Sequence, residues 1–165
     1  MFNVEICDVP GDADVRRTLA EWSLEEWKND FPDDTLDWYL SLYDESSYGD
    51  GLPVCLAAFA DGKVVGTASL IADDELPGAP EPGPWVAAVF VEPSSRGRGL
   101  GAKLVAEAAR RGHALGFWEV FLYTEAGAEW YAGLGWHTVR EAQLAGHSVT
   151  VMVHRDGDDR AVTTT

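Results

Sequence analysis

One segment constrains this 165-residue chain more than any other: Val89-Phe90-Val91-Glu92-Pro93-Ser94-Ser95-Arg96-Gly97-Arg98-Gly99-Leu100-Gly101-Ala102. Residues 85–91 form a continuous apolar run, which suits a strand buried on both faces. Pro93 to Gly99 has turn composition, and from Leu100 onward Leu104, Val105 and Ala108 recur at helical spacing, with Gly112 or Gly116 marking the end. A buried strand feeding a helix that returns to another apolar strand, Val120 to Tyr123, implies a parallel, right-handed crossover. The first helical turn leaves backbone N–H groups without intrahelical partners, and the macrodipole places about half a positive charge there. Glycines at 97, 99 and 101 let an anion approach the backbone, and Arg96, Arg98 and Lys103 add positive side chains. The segment reads as a pyrophosphate cradle; its plain alternative is a glycine-rich connection with solvated arginines. A P-loop is excluded because the turn ends Gly101-Ala102-Lys103 rather than Gly-Lys-Ser/Thr. A dinucleotide fingerprint fits poorly, because Glu119 opens the next strand instead of closing it.

Around this unit the chain reads as strand, two helices, three strands, helix, strand, short helix and two strands. Phe2 to Cys7 alternates as a strand does; Val15, Leu19 and Trp22, then Leu36, Leu40 and Tyr43, mark the first two helices. Val54–Ala60 and Val64–Ile71 flank Asp61-Gly62, a hairpin signal because type I′ turns need positive φ. Ala72–Pro84 is a loop rich in proline and acids; Ala126–Leu134 is a short helix closed by Gly135; Thr138–Leu144 and Ser148–His154 are strands around Ala145-Gly146. The expected fold class is mixed α/β: a mostly antiparallel central sheet with one parallel β-α-β unit and helices on both faces. Residues 1–154 are expected to make one domain and 155–165 a polar, disordered tail.

Charge and composition exclude several classes. The net charge is −16, which opposes nonspecific nucleic-acid binding and docking on an anionic membrane. Residues 1–81 hold 4 basic and 19 acidic side chains, residues 82–165 hold 8 and 9, so the acidity sits in the first half. Either it is solvated surface, or it attracts cations. The start of the chain has no basic flank and no apolar run, and Cys7 and Cys55 sit in apolar segments, so a cytoplasmic location is expected. Two cysteines and four scattered histidines give no metal-ligand spacing, so no metal is expected.

The run Arg96-Gly97-Arg98-Gly99-Leu100-Gly101 resembles the Arg/Gln-x-x-Gly-x-Gly/Ala signature of the GNAT N-acetyltransferase superfamily. Glu129-Trp130-Tyr131-Ala132-Gly133-Leu134-Gly135-Trp136 is similar to the family's helix ending Phe-Tyr-x-x-Leu-Gly-Phe, and the element order matches from residue 2 to about 154. The resemblance implies acetyl-CoA as cosubstrate. Backbone N–H groups from Arg96 through Gly97, Arg98, Gly99, Leu100 and Gly101 to Ala102 would hold its pyrophosphate. Backbone groups of Val89, Phe90 and Val91 would pair with the pantetheine arm, in a gap opened where this strand splays from Phe121–Thr124. A backbone N–H near Phe90 or Val91 would polarise the thioester carbonyl. Tyr131 falls where the family places the tyrosine that protonates the leaving thiolate; read without the family, it is an aromatic packing the short helix on the sheet.

An alkylammonium is under about 0.1% neutral near pH 7, so a base is needed. Relatives often carry a carboxylate on the strand before the glycine turn, and residues 85–91 hold none. Asp73, Asp74 and Glu75, or Glu125, are the candidates, acting through water, against a reading of all four as solvated loop acids. Trp85 is read as core or acceptor wall, and the four histidines as structural or surface. The expected function is transfer of an acetyl group to a primary amine acceptor, a cationic small molecule of polyamine or aminoglycoside type. A noncatalytic acyl-CoA sensor, a nucleotide-binding regulatory domain and a protein N-terminal or lysine acetyltransferase are the alternatives. A homodimer is left open.

Overall fold

The computed structural model describes residues 3–46 and 51–158. Seven strands form one sheet: β1 (Val4–Asp8), β2 (Val54–Ala60), β3 (Lys63–Ile71), β4 (Trp85–Val91), β5 (Glu119–Thr124), β6 (His137–Leu144) and β7 (His147–Arg155), in the order β1-β2-β3-β4-β5-β7-β6. Every neighbouring pair is antiparallel except β4–β5, which is parallel. The helices are α1 (Ala13–Trp27), α2 (Leu36–Ser46), α3 (Leu100–Ala114) and α4 (Ala128–Ala132). This is the expected mixed α/β class and element order.

Local chemistry sets the boundaries. Asp12 caps α1 by accepting from the N–H groups of Asp14 and Val15. Thr35 Oγ1 accepts from Trp38 N at 3.2 Å and starts α2. Asp61 and Gly62 both take positive φ, 51° and 83°, the type I′ turn that the sequence demands between β2 and β3. α3 continues to Ala114, past Gly112, because that glycine is a contact and not a stop: a Cβ there would lie 2.8 Å from Val120 Cγ2. β7 reaches Arg155, one residue past the boundary expected at 154, and Asp156 N donates to Trp118 O at 3.0 Å; residues 159–165 lie outside the described ones.

The sheet is covered on both sides. Along β2, Leu56 and Ala58 face α3 and join Leu104, Val105 and Ala108, while Cys55 and Ala57 face α1 and α2 and join Leu19, Tyr39 and Tyr43. This alternation is the period-2 signature of a strand between two layers.

β4 departs from it. Ala88 has a φ of +55°, and the register against β3 shifts between Thr67 and Ser69. One extra residue there reverses the alternation, so Val86, Val89 and Val91 pack on the α3 side while Phe90 turns to α1, its ring 5.3 Å from Trp22. β4 and β5 share the single register pair Trp85↔Phe121 and then part. The expectation that residues 85–91 are buried on both faces therefore holds only for Trp85 and Val86. From Ala87 to Val91 the strand is partly exposed, because no strand covers its β5-facing edge.

Candidate functional site

Two features meet where β4 and β5 separate. The first is the turn after β4. Glu92 accepts hydrogen bonds from Ser94 N and from the hydroxyls of Ser94 and Ser95, which fixes a short 3-10 turn over Pro93–Ser95; these donors hold its carboxyl below the usual range. Gly97 and Gly99 follow with φ of +80° and +79°, a region that favours glycine, and a Cβ on either would meet nothing within 4 Å. Gly99 is the N-cap of α3 and supplies no side-chain cap. The N–H groups of Gly97, Gly99, Leu100, Gly101 and Ala102 find no acceptor among the described residues; the first helical bond is Lys103 N to Gly99 O, 3.1 Å. Open amides, a helix N-terminus without acids in its first turn and two left-handed glycines suit an anion.

One residue of the expected cradle is already engaged at its backbone. Arg96 N donates to Pro93 O at 3.3 Å, and Arg96 Nε donates to Val91 O at 2.8 Å, so the open amides are those of Gly97 and of Gly99 to Ala102. The Leu100 side chain is buried in the core, leaving only its backbone for the turn. Gly101 lies in the helix, where a Cβ would stand 3.4 Å from the Trp130 ring.

The second feature is a cleft of about 280 Å³ on the α1–α2 side of the β4–β5 opening. Its floor is Val86 to Val89 of β4 and Leu122 to Thr124 of β5. The segment from α1 to α2 contributes Glu26, Asp30 and Asp34, the β3–β4 loop contributes Asp73, Asp74 and Glu75, and the residue after β5 is Glu125. No lysine or arginine lines it among the described residues. Trp27, Phe31, Trp38, Tyr39 and Tyr123 supply aromatic walls. All four carboxylates considered from sequence thus share one cleft with Tyr131. Trp85 does not line it; buried beside Phe121 and Tyr123, it is core.

The polar groups of the cleft are interlinked. Tyr39 OH donates to Asp34 Oδ2 at 3.1 Å, and Tyr123 OH donates to the Asp74 carbonyl at 3.0 Å. Burial drives the Asp74 carboxyl well above its ordinary value, and Glu75, Asp73 and Asp34 add repulsion in the same direction. Glu75 is also raised, by desolvation and then by Asp34 and Asp73. Burial pushes the Tyr131 hydroxyl up to about 12. That hydroxyl has no hydrogen-bond partner among the described residues, while its ring packs edge-on against Trp130 and Trp136. A neutral phenol in this cleft carries a proton that it can donate.

The histidines separate into different roles. His113 Nε2 and His154 Nδ1 lie 2.9 Å apart at the far end of α3, and His137 Nε2 is 3.4 Å from Asp158. These three are structural or surface groups, as expected. His147 is not: it lines the cleft, with Nε2 3.6 Å from both Asp30 Oδ1 and Glu125 Oε2. His147 is the residue of this cleft whose place the sequence did not disclose, because it is an isolated side chain with no motif around it.

Comparison with known proteins agrees with this geometry. No curated protein matches the chain. Among solved structures, an aminoglycoside 6'-N-acetyltransferase complexed with coenzyme A superposes with a TM-score of 0.71 at 16% identity, over 92% of this chain and 96% of that one. YncA of Salmonella typhimurium, with its cofactor acetyl-CoA, gives 0.68 at 18%, over 93% and 94%. N-acetylglutamate synthase from Neisseria gonorrhoeae, complexed with coenzyme A and N-acetyl-glutamate, gives 0.66 at 20% over 93% of this chain, which spans only 35% of that protein. At such identities the likeness is one of fold. The profile of the acetyltransferase (GNAT) family matches residues 14–136, about three quarters of the sequence. The chain belongs to the acetyltransferase (GNAT) family.

Proposed function

We propose that the protein transfers the acetyl group of acetyl-CoA to a primary amine of a cationic small molecule. The observation that carries the acceptor class is the cleft itself: among the described residues, seven with carboxyl side chains line it and no lysine or arginine does. An ammonium gains from that field, and an acidic acceptor finds no counter-charge. A polyamine or an amino sugar therefore fits better than an acidic peptide N-terminus.

The residues fit the cosubstrate. Amides from Gly97 to Ala102 would take the pyrophosphate, with Arg98 and Lys103 nearby as positive charge. The free edge of β4 at Val89, Phe90 and Val91 would pair with the pantetheine arm in the gap left by β5, and would offer an N–H to the thioester oxygen. The thioester supplies the activated acyl group. Tyr131 would hand its proton to the departing sulfur. A phenol at about 12 is a weaker acid than a thiol near ~8.5, so the transfer completes only as the acylated nitrogen gives up its second proton. Tyr131 is thus best placed as a donor whose hydrogen bond strengthens while negative charge grows on sulfur.

The test is acetylation of a panel of alkylamines, diamines, amino sugars and short peptides, read by thiol release and by mass. Acetylated diamines or amino sugars are expected; acetylation of peptides alone would move the protein to the macromolecular branch of the reading.

A further inference from the structure

Resting on the acetyl-transfer reading above, we propose that His147 is the catalytic base that removes the proton from the acceptor's ammonium group. His147 opens β7 immediately after the Ala145-Gly146 turn, and its pairing with Leu144 fixes the residue at the rim of the sheet. Its ring stands between opposite walls of the cleft: Asp30 follows α1 and Glu125 follows β5, and Nε2 is 3.6 Å from a carboxylate oxygen of each. Those distances are too long for hydrogen bonds. His147 Nε2 is the only buried side-chain polar atom without a hydrogen-bond partner among the described residues. In the neutral ring it presents a lone pair beside two groups that only accept. An ammonium is the donor that such a trio lacks.

The same arrangement can receive the proton: after transfer the Nε2–H lies between Asp30 Oδ1 and Glu125 Oε2, both of which accept. Imidazole as a class is about two units more basic than a carboxylate, and so the better match for an alkylammonium near ~10.4. Asp74 is the rival base, and Glu26, Asp34, Asp73, Glu75 and Tyr123 are the other titratable groups on the same cleft.

The step balances. His147 takes one proton from the ammonium, the freed nitrogen bonds to the acyl carbon, and the carbon–sulfur bond breaks with its electron pair on sulfur. Sulfur takes the Tyr131 proton, the nitrogen's second proton returns to the tyrosine oxygen, and His147 releases its proton to water. One proton is released per turnover.

The experiment measures kcat and kcat/KM against pH for wild type, His147→Gln and His147→Ala, with 1,4-diaminobutane as acceptor and acetyl-CoA binding measured alongside. His147→Gln should lower kcat by about 10²-fold with acetyl-CoA binding unchanged. The deficit should narrow as pH rises, because free amine increases about tenfold per pH unit below its pKa. Added imidazole should restore part of the His147→Ala activity. Wild-type kcat and pH profile in either variant, or a deficit constant with pH and insensitive to imidazole, overturns the assignment. If those variants no longer bind acetyl-CoA, His147→Asn is measured in their place: the same pH-dependent fall in kcat is expected, and a wild-type kcat and pH profile overturns the role. A wild-type protein that binds acetyl-CoA but acetylates no amine of the panel contradicts the functional reading itself; intact turnover in His147→Gln contradicts only the base.

Discussion

Arg96 is tied to the strand that precedes it: its Nε donates to the Val91 carbonyl at 2.8 Å, and its guanidinium carbon sits 5.4 Å from the centre of the Phe90 ring. The first arginine of the signature therefore works as a strut between the end of β4 and the start of α3. A charged donor on a backbone carbonyl contributes roughly 1.5–3 kcal/mol. Arg96→Ala should weaken acetyl-CoA binding by at least about tenfold, the equivalent of ~1.4 kcal/mol. Arg96→Lys should recover little, because lysine lacks the fork that reaches the carbonyl and stacks on the ring. Calorimetric titration with acetyl-CoA checks both, and wild-type affinity in Arg96→Ala would remove the strut.

The two glycines of the turn differ from the one in the helix. A side chain on Gly99 meets no neighbour, so its cost is the positive φ, about 1–2 kcal/mol for an L residue, together with the space that a phosphate would use. Gly99→Val should abolish measurable acetyl-CoA binding in a protein whose circular dichroism stays native. Gly101→Val is free of that φ cost but brings its branches against the exposed Trp130 ring, so it should weaken binding with a smaller loss of thermal stability than Gly99→Val. A larger fall in melting temperature for Gly101→Val than for Gly99→Val would contradict this division.

Tyr131→Phe keeps the ring between Trp130 and Trp136 and removes only the hydroxyl. With the phenol pushed up to about 12, the donor keeps its proton and stays neutral across the working range, so the loss should be independent of pH. The expected change is a fall in kcat of about 10²-fold with acetyl-CoA affinity unchanged. Unaltered single-turnover rates would return Tyr131 to packing.

Much of this was legible in the chain. The glycine turn, the hairpin at Asp61-Gly62 and the helix periodicity are local signals, so they survive without tertiary information. The bulge at Ala88 is not, because an alanine at positive φ gives no compositional sign, yet it decides that Val86 and Val89, three residues apart, share the α3 face while Phe90 turns to α1. Gly112 and Gly116 both stood as ends of α3; the helix passes the first, whose close approach to Val120 cannot be read along the sequence, and stops before the second. His147 went unread for the same reason: its partners, Asp30 and Glu125, are distant in the chain and meet only when β7 lies beside β5.

Asp74 gives a stability prediction with a definite sign. Its folded carboxyl titrates well above the ordinary 3.8, so the native state binds its proton more tightly than the unfolded chain. The stability it contributes is complete below that ordinary value and is lost as pH rises toward the folded value. At neutral pH the carboxylate is a cost, and Asp74→Asn should raise stability by about 1 kcal/mol, the usual scale of a corrected charge. The gain should shrink as pH falls from the folded value and be gone by about pH 4, where both states hold the proton. Melting temperature against pH measures this; a lower melting temperature in Asp74→Asn at neutral pH would contradict the repulsion among Asp34, Asp73, Asp74 and Glu75.

The central claim, that the acidic cleft selects a cationic acceptor, is tested most directly by kcat/KM for amines of one, two and three positive charges at two salt concentrations. Screening shortens from about 10 Å at 0.1 M to about 3 Å at 1 M, so attraction by the cleft should weaken. The expected result is a kcat/KM that rises with acceptor charge at low salt and falls with added salt, most steeply for the tri-cation. Best turnover on a neutral or anionic acceptor, or rates indifferent to salt, would contradict it.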